Sequence, residues 1–230
     1  LDTGPCNLYL KLESFNLGGS IKDRPAKNMI IEAERKGLLK KGGTIVEATA
    51  GNTGIALAIM AAKRGYKVVI IVPDKMTIEK VYHLKALGAE VIVARSDVVN
   101  GHPEYYLEIA KRIAKERKAF YINQFSNQAN IKSHIKDLGP EIYKQLDGKI
   151  HAFVAGVGTG GTISGIGKFL KSKNKKCELV LADPKGSILK DLIKTGKINK
   201  NVGSWIVEGI GEDFCPPLLD ISLIDHAYSI

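Results

Sequence analysis

The chain has 230 residues, 44% of them hydrophobic and 25% charged, with a net charge of +10 from 34 Lys and Arg against 24 Asp and Glu. That length can bury a sizeable core in one large domain or two smaller ones, and the longest apolar runs, residues 55–62 and 68–72, fall short of the roughly 18 residues of a membrane span. Three scattered cysteines, Cys6, Cys177 and Cys215, contain no C-x-x-C pair, which argues against a disulfide framework or zinc site and for a reducing cytosol; no signal peptide is visible, although Leu1 is not an initiator.

Leu8, Leu10 and Leu12 alternate with Tyr9, Lys11 and Glu13, which predicts a half-buried strand, broken by Gly18 and Gly19. In Ser20-Ile21-Lys22-Asp23-Arg24-Pro25, Pro25 lacks an N–H and belongs in a first helical turn, with Asp23 as N-cap and Lys22 just before the helix. Ala26, Met29, Ile30 and Ala33 share one face of that helix, and Gly37 stops it. Thr44, Ile45 and Val46 predict a strand, and the small apolar residues of 55–62 a helix. Between them, Thr49-Ala50-Gly51-Asn52-Thr53-Gly54 is a strand-to-helix turn. Such a turn aims backbone N–H groups and the positive end of a helix dipole at one point, a setting for a carboxylate or phosphate. The plainer alternative is a helix start capped by Asn52 or Thr53.

Residues 67–72 form a continuous apolar run expected as a strand covered on both faces. A helix over 77–87 is closed by Gly88, a strand spans 90–94, Pro103 opens a helix to 116, and 119–122 is a fourth strand. Strand and helix alternate through short connections, which predicts α/β architecture with a parallel sheet. The polar residues Asn123 to Gln128 mark a candidate domain boundary, and a helix interrupted near Gly139-Pro140 follows. A strand over 151–155 runs into Gly156-Val157-Gly158-Thr159-Gly160-Gly161-Thr162, which opens a helix over 163–170. A strand over 178–182 comes next, and beyond Asp183 the pattern is irregular, with Gly209 and Gly211 close together. Basic residues gather in 168–176 and 185–200 without the interleaved aromatics that stack bases, which favours a solvated surface over nucleic-acid binding.

Gly156-x-Gly158-x-x-Gly161 matches the dinucleotide fingerprint, with Asp183 where a ribose-binding carboxylate belongs. The alternatives are a cradle for a single phosphate, built from the Thr159 and Thr162 hydroxyls and the intervening amides, or a purely structural turn. Lys22 follows Gly-Gly-Ser at a helix start, where the dipole can lower its pKa and expose a neutral amine. A reactive amine with a single-phosphate cradle suggests pyridoxal phosphate held as a Schiff base.

Gly18-Gly-Ser-Ile-Lys22-Asp-Arg-Pro25, Thr49-Ala-Gly-Asn-Thr-Gly54, Ala86-Leu-Gly-Ala-Glu90, Gln124-Phe125, Gly158-Thr-Gly-Gly-Thr162 and Glu208-Gly-Ile-Gly211 occur in this order along the chain. Through them the chain resembles, over nearly its whole length, the cysteine synthase/cystathionine β-synthase family of fold-type II pyridoxal-phosphate enzymes. The resemblance implies a tryptophan synthase β-like α/β fold of two parallel three-layer αβα domains with the active site between them. Residues 16–127 would form the smaller, mobile substrate-binding domain; residues 1–15 plus 128–230 would form the larger domain that binds the cofactor phosphate, incomplete at both chain ends. The resemblance makes Lys22 the Schiff-base lysine and the base that moves the substrate α-proton, and gives Asn52 to the cofactor ring hydroxyl. Gly158, Thr159, Gly160, Gly161 and Thr162 would hold the phosphate. Thr49, Ala50, Gly51, Asn52, Thr53 and Gln124 would surround the amino-acid carboxylate, and Gly209 and Gly211 would line the pocket mouth.

The chain departs from the family pattern at Ala50, where many members have Ser, so Thr49 and Thr53 are expected to carry more of the carboxylate binding. It also has Gln128 where Pro is frequent, and it stops before the region in which the family places a Ser or Thr facing the pyridine nitrogen. Ala182-Asp183-Pro184-Lys-Gly186-Ser187-Ile188 and residues 207–214 resemble the cystathionine-forming branch. The reaction implied is L-serine plus L-homocysteine to L-cystathionine and water, with O-acetylserine plus sulfide to L-cysteine and acetate as the alternative. The implied partners are small amino-acid and thiol or sulfide substrates and a second copy in a cytoplasmic homodimer, with no metal, membrane or nucleic acid. The remaining rivals are an NAD-binding oxidoreductase, which leaves Lys22 and Asn52 unexplained, and a catalytically dead binding module.

Overall fold

The computed structural model describes residues 4–49, 51–98, 101–198 and 203–230. In chain order the elements are α1 (Asp23–Arg35), β1 (Thr44–Ala48), α2 (Asn52–Arg64), β2 (Lys67–Pro73), α3 (Ile78–Ala86), β3 (Glu90–Ala94), α4 (Tyr106–Glu116), β4 (Phe120–Tyr121) and α5 (Gln128–Ser133). A π-helical segment (His134–Leu138) leads to α6 (Gly139–Gln145), β5 (Ala152–Ala155), α7 (Gly161–Lys173), β6 (Glu178–Asp183), α8 (Leu189–Thr195) and β7 (His226–Ser229). A four-stranded parallel sheet has the order β3-β2-β1-β4, and a three-stranded parallel sheet the order β5-β6-β7.

The apolar run of β2 is explained by its place. Val68, Ile70 and Val72 pack with Ile45, Ile55, Leu57 and Leu84 beneath α1, α2 and α3, while Val69 and Ile71 join Val46, Ala48, Ile109 and Ile113 beneath α4. Successive residues of a strand face opposite ways, so a strand sandwiched between helix layers must be apolar throughout. The result is a three-layer αβα arrangement. In the second sheet, Leu181 and Ala227 pack with Ile188 and Leu189 of the α8 region, and Ile166 and Leu170 of α7 meet Leu138 and Ile142. No helix of the described residues is long and apolar enough to cross a membrane.

Several expectations need correction. Leu8, Leu10 and Leu12 form no strand: they are 57%, 73% and 56% exposed. Their segment is tied by charge instead, through Lys11 to Glu141 and Glu13 to Arg24, and it ends in a short turn of 3-10 helix, Glu13–Phe15. Asp23 is the first residue of α1 rather than its cap, and its Oδ2 accepts from the Gly18 N–H at 2.6 Å, closing the approach turn. Gly51, not Asn52 or Thr53, precedes α2 as its cap residue. Pro103 lies ahead of α4, which starts at Tyr106. The interruption near Gly139-Pro140 is the π segment, and Pro140 takes a first-turn position of α6, where its missing N–H costs nothing. Beyond Asp183 the chain still builds α8 and β7; the sequence His-Ala-Tyr-Ser of β7 carries no apolar run by which to recognise a strand.

Candidate active site

Loops from the C-terminal ends of β1, β2, β4 and β5 meet the segment 205–212 around one cavity of about 390 Å³. Ligands of open parallel sheets gather where strands deliver their loops in this way. Lys22, Thr49, Gly51, Asn52, Thr53, Gln124, Gly158, Thr159, Gly209 and Gly211 all line it. Gly160, Gly161 and Thr162 continue the loop into α7 without lining the cavity, and Ala50 lies outside the described residues.

Lys22 stands immediately before α1, its backbone N–H donating to Ser20 Oγ at 3.2 Å. Burial pulls its amine below the ordinary lysine value, against the opposing pull of the Glu212 carboxylate. Desolvation penalises the ammonium more than a partly buried carboxyl rewards it, so the amine is biased toward its neutral, nucleophilic form.

Thr49, Gly51 and Thr53 are held through β2 on one side of β1 and through the segment after β4 on the other. Thr49 N–H donates to Ile71 C=O at 2.9 Å, and Gly51 N–H donates to Thr49 Oγ1 at 3.2 Å. Thr53 Oγ1–H donates to Gln124 Oε1 at 2.7 Å, with both residues buried. Beneath them Glu47, fully buried, accepts from Ala48 N–H at 3.1 Å and Gln124 N–H at 3.3 Å. Burial raises its carboxyl to about 8, more than the backbone donors of Gln124, Ala48 and Asn123 lower it. Asn52 is exposed at the first position of α2 and faces the cavity without a side-chain partner among the described residues.

The glycine loop and the 209–211 segment are fitted to each other. A Cβ on Gly158 would come within 2.7 Å of Gly209 C=O, and Gly211 N–H donates to Val157 C=O at 2.8 Å. Asp183, the residue a dinucleotide would need, does not line the cavity; it is buried, and its Oδ2 accepts from Lys190 N–H at 2.8 Å in the first turn of α8.

Other cavity residues escaped the sequence reading. Glu212 has its carboxyl raised to about 8 by burial and by Asp213, against Lys22, while its backbone N–H and C=O are clamped by Ser187 Oγ. Burial raises the Tyr106 phenol, and Lys80 of α3 pairs with Glu208 across the rim. A lone Glu inside Thr-Ile-Val-Glu-Ala was a readable signal for Glu47, since a strand buried on both faces excludes an unpaired carboxylate. Glu212, Tyr106 and Lys80 carry no such signal, because only the tertiary fold brings them to one cavity.

The arrangement offers a desolvated amine beside a loop of N–H groups and hydroxyls at the start of α7, too close-packed at Gly158 for any side chain. An aldehyde-bearing, phosphorylated cofactor needs both, so these residues fit pyridoxal phosphate. A protein-family model described as pyridoxal-phosphate dependent enzyme matches residues 3–229. The chain is 47% identical over 221 residues to a cystathionine beta-synthase of Apis mellifera, covering 96% of this chain and 43% of that protein. It is 46% identical over 229 residues to cysteine synthase 1 of Emericella nidulans, covering 97% and 62% respectively. The crystal structure of a hydrogen sulfide-producing enzyme from Fusobacterium nucleatum superposes with a TM-score of 0.86 at 37% identity, covering 96% of this chain and 72% of that one. The chain thus spans less than half the length of the honeybee relative.

Proposed function

The chain belongs to the pyridoxal-phosphate dependent enzyme family, and on that premise we propose that it carries out β-replacement in sulfur amino-acid metabolism, joining L-serine and L-homocysteine to give L-cystathionine and water. The observation that carries the reading is the meeting of the Lys22 amine, the 49–53 turn and Gly158-Thr159 around one cavity. When bound, the cofactor supplies an electron sink that acidifies the substrate α-carbon. Lys22 holds the cofactor, takes the α-proton and returns it; Asn52 orients the cofactor ring through its hydroxyl. Gly158 to Thr162 hold the phosphate. Thr49, Gly51 and Gln124 receive the substrate carboxylate, and Gly209 and Gly211 line the mouth. The C–O bond at the substrate β-carbon breaks, the oxygen leaves as water with the thiol proton, and a C–S bond forms in its place.

The carboxylate turn belongs to the four-stranded sheet and the phosphate loop to the three-stranded sheet. This supports residues 16–127 as a mobile substrate domain that closes on 1–15 plus 128–230, coupling capture to exclusion of water. The working protein in this proposal is a cytoplasmic homodimer. Cysteine formation from O-acetylserine and sulfide stays as the second reading, because the similarity to a cysteine synthase is almost as high as that to cystathionine synthases. Offering both substrate pairs to the cofactor-loaded protein and identifying products by mass spectrometry decides between them: cystathionine is expected, and efficient cysteine formation with no cystathionine overturns the choice. A protein that stays colourless with pyridoxal phosphate overturns the whole reading.

A further inference from the structure

Behind the glycine loop lie two side chains that the proposed reaction does not use, Asn130 in α5 and His134 one helical turn later, at the start of the π segment. They are 2% and 1% exposed. Asn130 Nδ2 donates to Gln124 C=O at 3.0 Å and to Thr159 Oγ1 at 3.1 Å. Gly161 N–H donates to the same hydroxyl oxygen at 3.4 Å. Both lone pairs of Thr159 Oγ1 are then engaged, so its own proton can only be given to something else.

His134 Nε2 lies 3.4 Å from Thr162 Oγ1, and its Nδ1 has no hydrogen-bond partner among the described residues although it is buried. Burial, then the charges of Lys22 and Arg24, push the imidazole down to about 3, so it is neutral and carries a single N–H. With the proton on Nδ1, a buried donor would be orphaned and Nε2 would draw the Thr162 proton inward. With the proton on Nε2, the ring donates to Thr162 Oγ1, the hydroxyl proton is released outward, and only a lone pair goes unmatched. The second arrangement avoids the costlier orphan. The close approach that permits it depends on two glycines of α7. A Cβ on Gly161 would fall 2.2 Å from Asn130 Oδ1, and one on Gly165 2.6 Å from His134 Cβ.

We propose that Asn130 and His134 are positioning residues that fix the Thr159 and Thr162 hydroxyls as donors, so that both present protons to the cofactor phosphate. The proposal rests on the reading of Gly158 to Thr162 as the phosphate site.

The test has two arms. In protein labelled with 15N-histidine, long-range 1H–15N correlation is expected to show His134 neutral with its proton on Nε2; the Nδ1–H tautomer overturns the proposal, and this arm needs no variant. In the second arm, cofactor-stripped protein is titrated with pyridoxal phosphate and with pyridoxal, which lacks the phosphate. His134→Leu is expected to weaken pyridoxal phosphate about tenfold and leave pyridoxal unchanged, whereas His134→Gln, whose amide can donate from the Nε2 position, stays within about threefold of the parent. Equal losses for both ligands in His134→Leu overturn the proposal while the phosphate site stands. A parent protein that binds pyridoxal phosphate no better than pyridoxal removes the phosphate site itself.

Discussion

The Thr53 hydroxyl donates its proton to Gln124 Oε1, so in the proposed site it would hold Gln124 toward the substrate carboxylate. A carboxylate requires donors, and what the pair offers is the Gln124 Nε2, held in place by Thr53. Thr53→Val and Gln124→Ala are each expected to raise KM for the amino-acid substrate about tenfold, the worth of one hydrogen bond to a charged group. The double variant should be no worse than either single one; additive losses in steady-state kinetics would mean independent contacts. Lys22→Ala should abolish the visible absorbance of bound cofactor, checked by spectrum. Glu47 and Glu212, both raised to about 8 by burial from an ordinary value near 4.5, stay protonated in the fold while the unfolded chain ionises. Their contribution to stability is full below about pH 4.5 and is lost as pH rises through 8, so the urea midpoint should fall across that window. Glu212→Gln removes one of the two titrations and should make the decline shallower.

At the scale of elements, β2 was legible because a strand buried on both faces leaves an unbroken apolar run, and Ile70 and Ile71 are each fully buried. Ile70→Ala should cost about 2–5 kcal/mol in chemical denaturation, the cost of a cavity that a sheet cannot collapse to fill. The α7 start was legible from its glycines, but their reason was not: Gly158 makes room for the backbone of Gly209, and a backbone carbonyl cannot swing aside. Gly158→Ala is therefore expected to weaken cofactor binding about tenfold with the far-ultraviolet dichroism unchanged. The alternating leucines near the N-terminus misled, because period-two hydrophobicity specifies a strand only where a neighbouring strand accepts its ladder.

For the molecule as a whole, the cavity lies between loops of two sheets, and the only ion pair among the described residues joining its opposite rims, Lys80 to Glu208, is largely open to water on the Glu208 side. Such a pair contributes under about 1 kcal/mol, so Lys80→Ala should shift Tm by no more than about 4 °C in calorimetry. The sequence by itself determined the α/β class, the parallel sheets, and the family to which Lys22, residues 49–54 and residues 158–162 belong. The class and the sheets follow from local periodicity and turn chemistry, and the family from the resemblance of the ordered motifs to known members. Only the tertiary structure decided which carboxyls are forced toward neutrality, that Thr53 faces Gln124, and that Asn130 and His134 stand behind the 158–162 loop. Burial and hydrogen-bond direction are set by residues distant along the chain, and no local pattern encodes them.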